Sequence, residues 1–304
     1  MSARGRFVKD HGLNFRMSMA LFLNGLIYVI LILGIWFVLG RSPAGVAIAL
    51  VISVGAFFFQ WYFSDSLALR AMRARVVSEQ EAPELHAIVD RLCQLADSPK
   101  PRVAYSTSPV PNAFATGRSP QRSVVCVTQG LLQTLEPKEV EVVLAHELSH
   151  VAHRDVTIMT VAGVSGVVAG LMVRMGYYSR YRGSSNNNNG ALILLGLMAV
   201  GAIVYVLSFF LIRVLSRYRE LAADRAAALL TGAPSTLASA LTKLSGQMTN
   251  VPTQDLRAQG AANHLAFLPA VNGKSVKQLF STHPSLEKRL EQLSKISTQL
   301  SRPQ

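Results

Sequence analysis

Charge is what this sequence has least of. Only 15% of its 304 residues are charged, where water-soluble domains carry about a quarter. Mean hydropathy is positive, at +0.30. That balance excludes a disordered chain and argues against an ordinary soluble enzyme. Acidic residues are the scarcest: 17 Asp and Glu stand against 30 Lys and Arg, for a formal net charge of +13. In so apolar a chain a basic excess marks loops beside anionic lipid rather than a nucleic-acid site, so no nucleic-acid partner is expected. Cysteine is nearly absent. Cys93 and Cys126 match no metal or redox spacing. They read as buried reduced thiols, and a disulfide framework is excluded as the basis of the fold.

What the chain has is long stretches without any charge. Residues 17–40 form the first, and 42–64 the second, which ends in the aromatics of QWYFS. A helix crossing a hydrocarbon core needs about 20 residues, so both read as transmembrane helices. A signal peptide is the competing reading of the first; the run is too long for one and a second follows at once. Residues 156–173 are a third run, rich in Gly and Ala. Residues 191–212 are a fourth, after a polar loop over 174–190 whose run Asn186–Asn189 reads as a solvated turn. The third run is short, and a helix buried in protein is its alternative.

Basic residues orient the spans. Arg4, Arg6, Lys9 and Arg16 precede the first, and Arg70, Arg73 and Arg75 follow the second, with Arg41 alone between. The positive-inside rule places residues 1–16 and the segment after the second span in the cytoplasm. Arg174, Arg180 and Arg182 conflict with that topology, because a spanning third run would put them outside.

Residues 65–155 and 213–304 read as two parts of one catalytic domain. Pro83–Ala96 has helical apolar spacing; Val103–Tyr105 and Ser123–Thr128 look like strands; the segment between them is dense in Pro, Gly, Ser and Asn, and reads as loop or hairpin. Pro137 starts a helix, with Glu136 and Glu139 at its positive end.

That helix carries HELSH. His146 and His150, four residues apart, share a face and can reach one metal ion, and Glu147 lies beside that face where a carboxylate meets water. Two solvated histidines are the alternative. A catalytic zinc needs a third protein ligand. His153 is two turns from His146, about 10 Å along the axis, and too far. The metzincin continuation is absent, since Val156 stands where its last histidine would be. Glu220, in RYRELAADRAA, is the better candidate. Asp224, one turn later, could accept a ligand histidine's ring N–H. An exposed helix face, with Glu220 and Asp224 paired to Arg219 and Arg225, is the alternative.

HELSH followed by ELAAD, with two spans before and two apolar runs between, resembles the HtpX-type membrane zinc metallopeptidases. These are relatives of the CAAX prenyl endopeptidases and the Oma-type mitochondrial proteases. PNAFATG at 111–117, SVVCVTQGLL, Asp155 and THPSLEKRLEQL extend the resemblance over nearly the whole chain. The resemblance implies a mainly α membrane protein, with four apolar helices and an α+β zincin-like (gluzincin) catalytic domain holding a small sheet. It implies one zinc on His146, His150 and Glu220, with Glu147 as the catalytic carboxylate. It also implies a cytoplasm-facing site in a bacterial inner membrane, acting on damaged or misfolded membrane proteins under stress, and association with other membrane proteases. Asn112, Ala113 and Phe114 resemble the family's substrate-flanking edge; a plain hairpin is the alternative. His283, in the THP turn, is the candidate donor to the oxyanion, against a helix-entry histidine before Pro284.

Three other functions compete. A protease for prenylated chain ends would bring more spans than four runs allow. An inactive membrane scaffold or chaperone would not need intact HELSH and ELAAD. A transporter would need an ionisable residue inside an apolar run, and none of the four has one.

Overall fold

The computed structural model describes residues 11–38, 61–155, 188–248 and 284–301, with isolated helical positions in 47–59 and 157–170. The loop 174–187 and His283 lie outside the described residues, as does most of the second and third apolar runs. The chain divides into two compact units, one of residues 14–62 and 157–215, the other of 1–13, 63–156 and 216–304.

The first unit is built on α1 (His11–Val38) and α6 (Asn188–Thr231), both long and apolar enough to cross a membrane. On α1, Ile27, Leu31 and Ile35 recur every four residues and are buried with Val168, Ala169 and Val204. Gly34 is required at this seam: a Cβ there would lie 2.6 Å from Val200 Cγ1. Small residues are how helices approach closely where lipid removes the hydrophobic drive between them. The outer faces stay apolar, with Phe22, Leu33, Phe37, Leu195, Ile203 and Phe210 exposed. Water does not tolerate a surface of that kind, and lipid does. The α6 helix begins at Asn188, inside the asparagine run, so the solvated turn read over Asn186–Asn189 is helix in its second half. Polar side chains there cost little at a helix start, where the backbone N–H groups have no partners of their own.

The second unit is an α+β domain. Its strands are β1 (Ala74–Val76), β2 (Arg102–Ser106), β3 (Ala113–Gly117) and β4 (Ser123–Thr128), in the order β1-β2-β4-β3. Only β2 and β4 are parallel; β1 pairs with β2 and β3 with β4 antiparallel. Of the loop and hairpin readings of the Pro- and Gly-rich stretch, the hairpin is what forms, with β3 as its first arm. Gly117 closes it at φ 131°, where a Cβ would strike the Arg122 carbonyl oxygen at 2.4 Å. Alternation along β4 sends its residues to opposite faces. Val125 and Val127 join a core with Leu85 and Val89 of α3 (Pro83–Ala96), Leu144 of α5 (Pro137–Ala152) and Leu241 of α7 (Pro234–Met248). Val124 and Cys126 face Phe114, Ala68 and Met72, beside α2 (Ser64–Ala71). A short helix, α4 (Gln129–Thr134), starts on Thr128, whose side chain accepts the Leu131 N–H.

The α5 helix positions the site. Pro137 sits in its first turn, and Glu136 and Glu139 form a reciprocal capping box. Every residue from Val142 to His150 is buried. Glu139 is held again from α7, by Ser239 at 2.7 Å and Lys243 at 2.8 Å. Truncating Leu144 to Ala would cost about 2–5 kcal/mol, the usual loss for a buried leucine. The last helix, α8 (Leu286–Leu300), starts on a Ser285 cap and lays Leu293 and Ile296 into the main core.

Candidate metal centre

Two helices bring the donors together. On α5, one turn sets His146 Nε2 3.2 Å from His150 Nε2. From α6, Glu220 places its carboxylate oxygens 3.7 Å from His146 Nε2 and 3.5 Å from His150 Nε2. All three side chains are buried, and one donor atom from each lies within 4.8 Å of the others. A tetrahedral zinc with ligands at about 2.05 Å sets neighbouring ligand atoms about 3.3 Å apart. The two imidazole nitrogens stand at that edge length, and Glu220 turns one oxygen towards each of them.

Each imidazole is oriented by a carboxylate on its other side. His146 Nδ1 is 2.9 Å from Asp224 Oδ1, and His150 Nδ1 donates to Asp155 Oδ2 at 2.6 Å. Holding the proton on Nδ1 leaves Nε2 as the lone-pair donor in both rings. Each carboxylate in turn meets a guanidinium. Arg289 grips Asp224 with two bonds, Nε to Oδ2 at 2.7 Å and Nη2 to Oδ1 at 2.6 Å, and Arg219 Nε lies 2.9 Å from Asp155 Oδ2.

Charge in this cluster is unbalanced. Glu147, Asp155, Glu220 and Asp224 are buried carboxylates, and two arginines face them. Four negative groups against two positive ones leave a formal excess of two negative charges, which a divalent cation matches. The protonation of the residues reflects the same excess. Burial alone would lower the His150 pKa, but its bonds to Asp155 and Glu220 outweigh burial and hold it at about 10. His146 is raised in the same way, with Asp224 and Glu220 prevailing over burial. Against the same burial, Arg289 pulls Asp224 below the usual carboxylate range, and Arg219 does so for Asp155. Donor set, spacing and charge fit a divalent metal ion.

Glu147 does not join the donors. It lies under β3 and accepts the Ala115 N–H at 2.9 Å. Burial pushes its carboxyl above the usual range, the direction suited to a group that takes and returns protons. Thr128 and Asn112 are linked across β4 and β3, Thr128 N–H to Asn112 O at 3.0 Å and Asn112 N–H to Thr128 Oγ1 at 2.8 Å. Ala115 points its N–H the other way, to the outer edge of the sheet. Asn112, Ala113 and Phe114 are buried as whole residues, backbone included.

His153 ends α5, its Nδ1 2.7 Å from Ser149 O, away from the donors. The exposed helix face is not what the chain adopts: Glu220 and Asp224 are buried, and Asp224 is held by Arg289. Arg219 turns to Asp155, and Arg225 is exposed. Residue spacing gave no role to Asp155, Arg219 or Arg289. A signal for Arg289 does exist: it falls on the stripe of Leu286, Leu293 and Ile296, the apolar face of α8.

Cutting a peptide bond at neutral pH takes a Lewis acid at the carbonyl, a proton carrier beside it and a track for an extended chain. A buried set of donors for one metal ion, with a carboxylate beside it on a helix reading HELSH, is the arrangement of the metallopeptidases. Comparison narrows the class: the sequence model described as Peptidase family M48 matches residues 79–297, and the chain belongs to that family. Protease HtpX homolog 1 of Streptomyces coelicolor is 54% identical over 298 residues, covering 98% of this chain and 97% of its own. Protease HtpX homolog of Moorella thermoacetica is 46% identical over 299 residues, covering 98% of each. Among solved structures, the crystal structure of S. mikatae Ste24p matches with a TM-score of 0.55 and 18% identity, over 91% of this chain. This chain spans 64% of that longer one, under two thirds of its length, and the likeness is one of fold.

Proposed function

We propose that this chain is an integral-membrane zinc endopeptidase, held in the plasma membrane with its site facing the cytoplasm, that hydrolyses damaged or misfolded membrane proteins. The observation that carries the reading is the convergence of His146, His150 and Glu220, all buried, with one donor atom from each within 4.8 Å of the others. These three residues would hold the ion. Its chemistry when bound is Lewis-acid polarisation of a carbonyl and acidification of water. Glu147, with Oε2 fixed by Ala115, moves the proton at Oε1: it takes it from the attacking water and returns it to the leaving amine. The outer backbone edge of β3, beginning at Asn112 and Ala113, receives the substrate as an added strand, with Phe114 anchoring it from the core. His283 is the proposed donor to the oxyanion.

The membrane setting rests on two long apolar helices and on the positive-inside placement of Arg70, Arg73 and Arg75. The relatives' name, protease HtpX homolog, agrees with proteolysis. The test is zinc content together with casein cleavage by the purified full chain in detergent. Stoichiometric zinc with cleavage that stops on chelation is the expected result; turnover that survives complete metal removal would overturn the proposal.

A further inference from the structure

We infer that Arg289 is a positioning residue of the metal centre: by clamping Asp224 from α8, it fixes His146 on α5 and Glu220 on α6 together. The inference rests on the proposed metal site and goes beyond its ligands.

Arg289 is the largest fully buried side chain among the described residues, at 0% exposure. A guanidinium is rarely buried without a task, because desolvating it is costly unless its donors are met. Its fork meets both oxygens of Asp224, which is itself 0% exposed, and fixes the plane of that carboxylate. Asp224 Oδ1 then faces His146 Nδ1, so the ring's orientation and tautomer are inherited from the clamp. The same guanidinium sets Nη1 3.9 Å from Glu220 Oε2. One side chain therefore grips the support of His146, a ligand on α5, and faces Glu220, the ligand on α6. A second tie keeps the register: Gln292 Nε2 donates to the Leu221 carbonyl at 2.7 Å, one residue from Glu220. Leu293 and Ile296 seat α8 in the core and hold Arg289 at that depth. A lysine cannot replace this fork, since an ammonium offers no planar pair of donors.

The test uses the full chain in detergent, with zinc affinity read by chelator competition and the absorption spectrum of the cobalt-substituted site. Arg289→Met should weaken zinc by roughly 10–100-fold, the size of a lost outer support, and change the cobalt spectrum; Arg289→Lys should recover part of the loss. Leu92→Ala, on α3 in the same core, does not touch the seat of α8, and should lower Tm while leaving affinity and spectrum unchanged. Where Arg289→Met alone does not fold, the pair Asp224→Asn and Asp224→Asn with Arg289→Met carries the test, because the double variant buries no lone charge. The second substitution should then add less than about twofold to the first, as expected of groups acting through one another. Wild-type affinity in Arg289→Met, or a full additional loss in the double variant, would overturn the inference while leaving the metal site standing. Undiminished zinc binding in His146→Ala would overturn the metal site and the inference with it.

Discussion

Ala115 donates its backbone N–H to the Glu147 carboxylate across 2.9 Å, joining the edge strand of the sheet to the middle of the HELSH helix. The bond places the proposed proton carrier beneath the strand proposed to receive an extended chain. It also separates two duties, because an oxygen held by a backbone amide is fixed in place while its partner is left to the chemistry.

Glu147→Ala should keep zinc and fold but lower casein cleavage by roughly 100- to 10,000-fold, the usual contribution of a positioned acid–base group. Zinc content and thermal unfolding on the same preparation check the first half. Turnover above a few per cent of wild type would remove Glu147 from the role.

Metal retention should follow the two layers around the ion. Glu220→Ala should lose zinc to a competing chelator, since two imidazoles alone leave the set short. Asp224→Ala and Asp155→Ala should each weaken zinc by roughly 10–100-fold, because each carboxylate orients one histidine. Full occupancy in Glu220→Ala would show that the third ligand lies elsewhere.

Alkaline pH should act on Cys126. Burial pushes its thiol up to about 12 from the ordinary 9. The folded state therefore keeps the proton that the unfolded state releases, and its share of stability is complete below pH 9 and lost as pH rises towards 12. Cys126→Ala removes that dependence for the small cost of one missing sulfur atom. The gap in Tm between the two proteins should narrow from pH 8 to pH 10; a constant gap would show that Cys126 does not titrate on unfolding. Native protein should also resist maleimide at Cys126 until it is unfolded.

The legible parts of the sequence were those whose meaning is local. His146, Glu147 and His150 declare themselves because helical spacing alone puts them on neighbouring faces, and Pro137 with Glu136 and Glu139 declares the helix start. The long apolar runs follow from composition. Asp155 was legible only as a motif match, since its role depends on a turn: Arg154 adopts φ 56° just past the end of α5, and the chain folds back under His150. Arg289 sits in LEKRLEQL, which reads as a solvated charged face until the Leu286, Leu293 and Ile296 stripe is drawn. β3 was legible only as one arm of a loop or hairpin, because its strand character comes from pairing antiparallel with β4, not from its own residues, three of which are Ala or Gly. Tertiary contact, rather than propensity, decides such positions.

The proposed topology can be decided at one residue. Asn188 begins α6, ahead of an apolar stretch that runs to Ile212 before Arg213. Those 22 residues (191–212) make about 33 Å of helix, enough to cross a hydrocarbon core. Arg213 turns its guanidinium back over the Phe209 ring, 3.1 Å from its centre, as a cation does at the end of an apolar run. With Arg213, Arg217 and Arg219 at one end, the positive-inside rule puts that end in the cytoplasm and Asn188 outside. Arg174, Arg180 and Arg182, earlier in the chain, pull the other way. Asn188→Cys, in a background of Cys93→Ala and Cys126→Ala, should react with an impermeant maleimide added to intact cells. Protection until the membrane is opened would place Asn188 inside and overturn the four-span topology, leaving the third run as a helix buried in protein.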